Sequence, residues 1–92
     1  MAAFTWDPRK ARANQRKHGV SFEQAARVFS DPLALSKLDD TPGYGEVRWI
    51  TMGQIDGAIL LVAHTDEEDD DGIHIISARK ATKHERRHYE KG

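Results

Sequence analysis

The chain has 92 residues, 38% hydrophobic and 32% charged, a composition that allows one small core and excludes a division into two domains. It contains no cysteine, which excludes disulfide bonds, thiolate catalysis and cysteine-type zinc sites and suits the reducing cytoplasm. No apolar stretch is long enough to cross a bilayer and the N-terminus carries no signal pattern, so we expect a single cytoplasmic domain over residues 1–92.

Charge is segregated along the chain, although the formal net charge is only -1. Basic residues concentrate at both ends: Arg9, Lys10, Arg12, Arg16 and Lys17 on one side, and Arg79, Lys80, Lys83, Arg86, Arg87 and Lys91 on the other. Six consecutive acids occupy positions 66–71 between them. If the basic ends meet in the fold, their combined field attracts phosphate. The alternative is that these residues form solvated helix faces.

The chain begins with a short apolar segment at residues 3–6, which is expected to form a short strand, and two helices are predicted after it. Asp7 supplies an N-cap and Pro8 a first helical residue, and the helix ends at Gly19, a residue suited to a left-handed C-terminal cap. Residues 21–24 form a capping box for the second helix, which Asp31-Pro32 ends. Its apolar face has the helical spacing shown by Phe22, Ala25, Ala26 and Phe29.

From residue 33 the apolar period changes to two, which predicts strands. The predicted strands cover residues 33–38, at an edge, then 47–54, 58–65 and 73–79. Asp56-Gly57 is a hairpin turn between the second and third of them. A second capping box at residues 82–85 begins a last helix that ends near Glu90. The expected fold is α+β, with two N-terminal helices and a C-terminal helix on an antiparallel sheet of three to four strands.

Two motifs suggest functions other than phosphate chemistry. His84, Glu85 and His88 match the H-E-x-x-H zinc motif, but few residues follow for a third ligand and two arginines lie within it. We favour a solvated amphipathic helix there. The first two helices resemble a DNA-binding helix-turn-helix, but the second offers only Gln24 and Arg27 for reading bases. We favour a helical hairpin that packs against the core.

Phosphate chemistry on the sheet is the third possibility. Arg48 shares a predicted strand face with Ile50 and Met52, and His64 shares one with Leu60 and Val62. Arg79 is predicted to share one with Ile73 and Ile75. Polar groups at the ends of apolar faces are either paired with carboxylates, such as Glu46, or bind an anionic ligand. The residues alone leave both alternatives open.

Taken in order along the chain, these residues closely resemble the BrnT family, the toxins of a type II toxin-antitoxin system. The resemblance rests on Phe4-Thr5-Trp6-Asp7, Lys10, Asn14, Lys17 with His18-Gly19-Val20-Ser21-Phe22, Asp31-Pro32, Glu46 with Arg48, and Ile75-Ile76-Ser77-Ala78-Arg79-Lys80-Ala81-Thr82 with Glu85 and Tyr89. It runs essentially end to end with similar spacing, and is therefore far more specific than the zinc motif.

The resemblance implies a RelE-like ribonuclease fold and RNA cleavage without a metal or other cofactor. It also implies a BrnA-type antitoxin that carries the DNA-binding domain, so that the toxin reaches operator DNA only through a complex. The expected complex is a heterotetramer of two toxins and two antitoxins. The chain departs from the family pattern at His74, where a basic residue is usual, and at the acids of residues 66–71, where the charge is usually mixed. We expect weaker phosphate attraction or a different antitoxin contact there.

The expected site follows from the needs of such a reaction. Arg48 and Arg79 are the candidates for contacting the phosphate, and His64 and His18 for acid–base catalysis, with a helix C-cap as the other role for His18. The candidate RNA-binding residues are Lys17, Lys80, Arg16 and Lys10. Trp6, Trp49 and Tyr44 are candidates for base stacking, with a core position preferred for both tryptophans.

Overall fold

The structure is a computed structural model that describes residues 3–39, 45–66 and 72–91. Tyr44 and the acids at positions 67–71 lie outside the described residues. The helices are α1 (Pro8–His18), α2 (Phe22–Arg27) and α3 (Lys83–Lys91), with a short 3-10 helix at Val28–Ser30. The strands are β1 (Phe4–Thr5), β2 (Leu35–Asp39), β3 (Arg48–Ile55), β4 (Ala58–Asp66) and β5 (Ile73–Lys80). Over the described ranges, no helix has both the length and the apolar character to span a membrane.

The predicted helix ends are confirmed. The Asp7 side chain accepts a hydrogen bond from the backbone N–H of Arg9, and Gly19 adopts a left-handed conformation with φ 70°. Ser21 and Gln24 form the reciprocal capping box at the start of α2. The second helix differs from the prediction in one respect, because after Arg27 it tightens into the 3-10 helix.

The sheet has five strands in the order β1-β5-β4-β3-β2, so the prediction of three to four antiparallel strands is wrong in two respects. The short strand expected at the N-terminus is present as β1, but it joins the sheet by pairing in parallel with the start of β5, which makes the sheet five-stranded and mixed. This pairing has no local signal in the sequence, because the two partners lie far apart along the chain. The edge position of β2 and the Asp56-Gly57 hairpin turn are confirmed, with φ values of 46° and 81° at the two turn residues.

A β-bulge in β5 changes which residues face the core. His64 pairs with Ile75 and Ala63 with Ser77, so that Ile76 is left without an opposite residue on β4. One inserted residue reverses the alternation of the side chains that follow it. Arg79 therefore does not share a face with Ile75, as strict alternation predicted, and Ala78 joins Ile75 in the core instead.

Helices cover both faces of the sheet. On one face, α2 and the 3-10 helix contribute Phe22, Ala25 and Val28 to the main core. This burial favours the packing role of α2 over the DNA-recognition role. On the other face, Tyr89 of α3 packs in a smaller cluster with Met52 and Ile59.

Asp31, which follows the 3-10 helix, connects several elements. Its Oδ2 accepts hydrogen bonds from the backbone N–H of Gln54 at 2.7 Å and from the Tyr89 hydroxyl at 2.5 Å. The hydrogen bond from Tyr89 and those from the backbone lower the pKa of Asp31. Gly53 is required at the same junction, because a Cβ there would lie 2.8 Å from Cγ1 of Val28. The end of α3 is thus tied to the turn before β2.

Candidate active site

A cleft of about 350 Å³ lies on the sheet face that carries α3. It is lined by His18, Asp39, Arg48, Ile50, Leu61, Ala63, Ser77, Ala78 and Arg79. Residues paired in register bring these side chains onto one face: Asp39 lies opposite Arg48, Ile50 opposite Ala63, and Ala63 opposite Ser77. The bulge at Ile76 is what allows Ser77 and Arg79 to join them. The structure therefore brings together three of the four predicted catalytic residues.

Arg79 is held at the cleft by a two-pronged ion pair. Its two terminal nitrogens donate to Oε1 and Oε2 of Glu85 at 2.8 and 2.9 Å, and one of them also reaches the carbonyl of Lys80. Glu85 is fixed in turn by the capping box with Thr82 at the start of α3. The hydrogen bonds from Arg79 lower the pKa of Glu85 to about 2, so the carboxylate stays ionised at neutral pH. The guanidinium is thereby oriented before any ligand binds.

Arg48 begins β3 at the opposite side of the cleft. Its side chain is 20% exposed, and its Nε donates to Oε1 of Glu46 at 3.4 Å. Glu46 is 53% exposed, so water screens this long contact and its contribution is small. Asp39, the register partner of Arg48 on β2, also lines the cleft. Arg48 thus places positive charge across the cleft from Arg79.

His18 reaches the cleft because α1 is anchored to β5 through Asn14. The Asn14 amide donates to the carbonyls of Val20 and Ala78 at 3.0 and 2.8 Å and accepts from the backbone N–H of Ala78 at 3.1 Å. It thereby serves both backbone groups of Ala78 as a neighbouring strand would. Reasoning from residue types missed this anchor, because a single asparagine in a polar helix has no distinguishing pattern; only the family resemblance singled it out.

His64, the fourth predicted catalytic residue, lies away from this cleft. It pairs with Trp49, whose side chain faces away from Arg48, and it is only 4% exposed. Its Nε2 lies 2.8 Å from Oγ1 of Thr51 and its Nδ1 3.2 Å from Oδ1 of Asp66, and the ring packs edge-on against Phe29. Burial lowers the pKa of His64, although Asp66 opposes this effect. The surroundings are those of a core histidine.

We expect the free energy of unfolding to decrease as the pH falls through the range in which His64 titrates. Because its folded-state pKa lies below 6.5, the unfolded chain binds more protons, and the stability contributed by neutral His64 is complete only above that value. Urea unfolding between about pH 8 and pH 5 measures the decrease. A His64→Gln variant should lose less stability over the same range; equal losses in both proteins would contradict the assignment.

None of the four predicted RNA-binding residues lines the cleft. Lys10, Arg16, Lys17 and Lys80 are all exposed, and Lys17 and Lys80 are sequence neighbours of the cleft residues His18 and Arg79. Because α1 packs on β5, the basic helix α1 lies next to the strand that carries Arg79 and Lys80. His74 lies apart from them at the start of β5, where its Nδ1 is 2.9 Å from Oγ1 of Thr5.

The remaining motifs have structural roles of their own. Glu85 of the H-E-x-x-H motif is engaged by Arg79, and within the described ranges no three potential ligands cluster to hold a metal ion. Trp6 is confirmed as a core residue that packs edge-on against Phe22. Trp49 lies on the face opposite Arg48, as expected, and is half-buried, but among the described residues it is not part of either hydrophobic cluster.

Comparison with known proteins adds a family assignment to this geometry. The model of a family described as "Ribonuclease toxin, BrnT, of type II toxin-antitoxin system" matches residues 6–85. The match includes α1, all of β2 to β5 and the beginning of α3, and therefore every residue that lines the cleft. The comparison with curated proteins finds no match.

Proposed function

The chain belongs to the BrnT family of ribonuclease toxins of type II toxin-antitoxin systems, and from this membership we propose that it cleaves RNA in the cleft between Arg48 and Arg79 without a metal ion. The observation that carries the proposal is the presence of two arginines at opposite sides of one cleft, with a histidine at its border. Cleavage of RNA at its own 2′-hydroxyl needs cationic groups for the phosphorane and an acid–base group, and these residue types supply both.

The arginines would stabilise the charge that develops on the phosphate oxygens. A guanidinium stays protonated throughout the accessible pH range and presents several donors in one plane. The ion pair with Glu85 orients Arg79 and raises its pKa further. When a phosphate enters, Arg79 can share its donors between the two anions, while Arg48 contacts the phosphate from β3. Because these cations already provide the electrostatic stabilisation, the reaction needs no Lewis acid.

His18 is the acid–base residue of the proposal. In this role the imidazole accepts the proton of the 2′-hydroxyl, or donates one to the leaving 5′-oxygen, and the products are a 2′,3′-cyclic phosphate and a 5′-hydroxyl. Its position at the end of α1, next to Gly19, leaves the ring half-buried at the cleft border. We assign no catalytic step to His64, because it is buried on the other side of the sheet. The exposed Lys10, Arg16, Lys17 and Lys80 would hold the flanking RNA backbone.

The family also supplies a partner, because a type II system pairs each toxin with an antitoxin. We propose that this antitoxin is of the BrnA type, that it carries the toxin to operator DNA, and that the complex contains two copies of each protein. A RelE-like fold and action in the cytoplasm complete the proposal. The α+β arrangement, with helices on both faces of a mixed sheet, supports the fold assignment.

The proposal predicts that the purified chain, free of antitoxin, cleaves RNA in the presence of EDTA and leaves 5′-hydroxyl ends. Mapping the ends with and without prior phosphatase treatment distinguishes a 5′-hydroxyl from a 5′-phosphate. Activity that appears only on adding zinc would contradict the proposal and would favour His84, Glu85 and His88 instead. Absence of cleavage under both conditions, with RNA still bound, would favour a non-catalytic binding module.

A further inference from the structure

A row of side chains crosses four strands and continues out of the core. Leu38 pairs with Trp49, Trp49 with His64, and His64 with Ile75, so that all four lie on the face opposite the cleft. Ile75 is 1% exposed and Phe29 covers His64. Toward β2 the row is less buried. Among the described residues Trp49 is part of neither core cluster, and Leu38 is 52% exposed. We refer to Leu38 and Trp49, with the neighbouring Val47, as the open row.

The open row ends at the edge of the sheet. Within the described ranges β2 is the terminal strand, with β3 on one side and no strand on the other. The backbone groups on its outer side are therefore positioned to pair with an added strand, since an exposed edge is a template for strand addition. Apolar side chains of such a strand would fall in register with the open row.

The charge beside the open row selects the kind of partner. Asp66 lies at the end of β4 on the same face as His64, to which it is hydrogen-bonded, and its side chain is 58% exposed. The negative charge at Asp66 disfavours RNA and favours a partner with basic side chains. In the sequence five further acids follow Asp66 directly, at positions outside the described residues.

We propose that the open row and the outer edge of β2 bind an extended segment of the antitoxin, one with apolar and basic side chains. The segment adds a sixth strand next to β2, packs its apolar side chains on Leu38 and Trp49, and directs basic side chains toward Asp66. Apolar burial and main-chain hydrogen bonds supply the affinity for the segment, and the negative charge at Asp66 supplies selectivity for basic side chains. The proposal rests on the antitoxin partnership of the family and not on the chemistry of the cleft, which lies on the other face.

The test compares Leu38→Glu with Leu33→Glu by titration calorimetry against a purified antitoxin of the BrnA type. Both leucines are exposed, so neither substitution should impair folding, and Leu33 lies outside the open row. The Leu38 variant should bind at least about tenfold more weakly, as expected for a residue central to an interface, and the Leu33 variant should bind normally. Hydrogen exchange should show new protection of β2 amides in the complex of the unaltered proteins.

RNA cleavage by both free variants is measured in parallel. Unchanged cleavage together with weakened antitoxin binding supports the proposal, and weakened binding supports it equally if no protein in the series cleaves RNA. Unchanged binding by the Leu38 variant, or absence of protection in β2, overturns it. It is also overturned if the unaltered chain alone forms a dimer that Leu38→Glu dissociates, or if Leu38→Glu weakens RNA binding, because a second copy or the substrate would then occupy the row.

Discussion

Replacing Arg48 with alanine is expected to lower kcat/KM for RNA cleavage by about a hundredfold or more. Removal of one preorganised charge donor from a developing oxyanion typically has an effect of this size. Arg48 is preferred to Arg79 for this test, because Arg79 also anchors the start of α3 through its two-pronged ion pair with Glu85, so that its loss would disturb the fold as well. Single-turnover cleavage of a short labelled RNA measures the change.

The matched control for this prediction is Arg86→Ala. Arg86 is exposed on α3 and does not line the cleft. Its replacement therefore removes the same formal charge as Arg48→Ala, at a position without a proposed role. Arg48→Lys tests the geometry as well, because it retains the charge but not the planar pair of donors, and it should recover part of the rate. If Arg48→Ala and Arg86→Ala reduce the rate by similar small factors, long-range charge alone accounts for the effect and the cleft assignment fails.

Replacing Asn14 with alanine is expected to destabilise the protein by roughly 2–4 kcal/mol. The substitution leaves three buried backbone groups, the carbonyl of Val20 and both polar groups of Ala78, without their hydrogen-bond partner. Each unpaired buried group costs free energy because it loses water and gains nothing in return. Urea unfolding monitored by circular dichroism measures the loss.

Gln15→Ala is the control for helix propensity, because Gln15 is exposed and adjacent in α1. It should change the free energy of unfolding by less than about 0.5 kcal/mol. A similarly small effect of Asn14→Ala would show that water replaces the side chain at the edge of β5. Since α1 also positions His18, the unfolding experiment should precede any measurement of cleavage by the Asn14 variant.

The parts of the fold that short sequence signals determine were predictable. The caps at Asp7, Gly19 and Ser21, and the turn at Asp56-Gly57, depend on one to four neighbouring residues and lie where they were expected. The limits of α1, α3 and all four of these predicted strands agree with the prediction to within about two residues, as is usual for element boundaries. Arg48 and Arg79 were identifiable from their residue type and their positions near strand ends, although the predicted face of Arg79 was wrong.

The features that escaped prediction depend on contacts between distant residues. The N-terminal strand was expected, but its parallel pairing with β5 was not, and the bulge at Ile76 exists only in relation to the register of β4. That bulge decides that Arg79 faces the cleft and that His64 does not share a face with it. Likewise, Asn14 can hydrogen-bond to the backbone of Ala78 because β1 pairs only with the first two residues of β5 and ends before Ala78.

The strand order has a consequence for synthesis of the protein on the ribosome. β5 lies between β1 and β4, although it is the last strand to be made, and it contributes Ser77 and Arg79 to the cleft. Until residues 73–80 have been translated, β1 has no partner and the cleft lacks one wall. Pairing of such distant segments also makes folding slow relative to helical proteins. A nascent chain therefore emerges without a complete cleft, and Arg79 faces Arg48 across the cleft only after β5 has paired with β4.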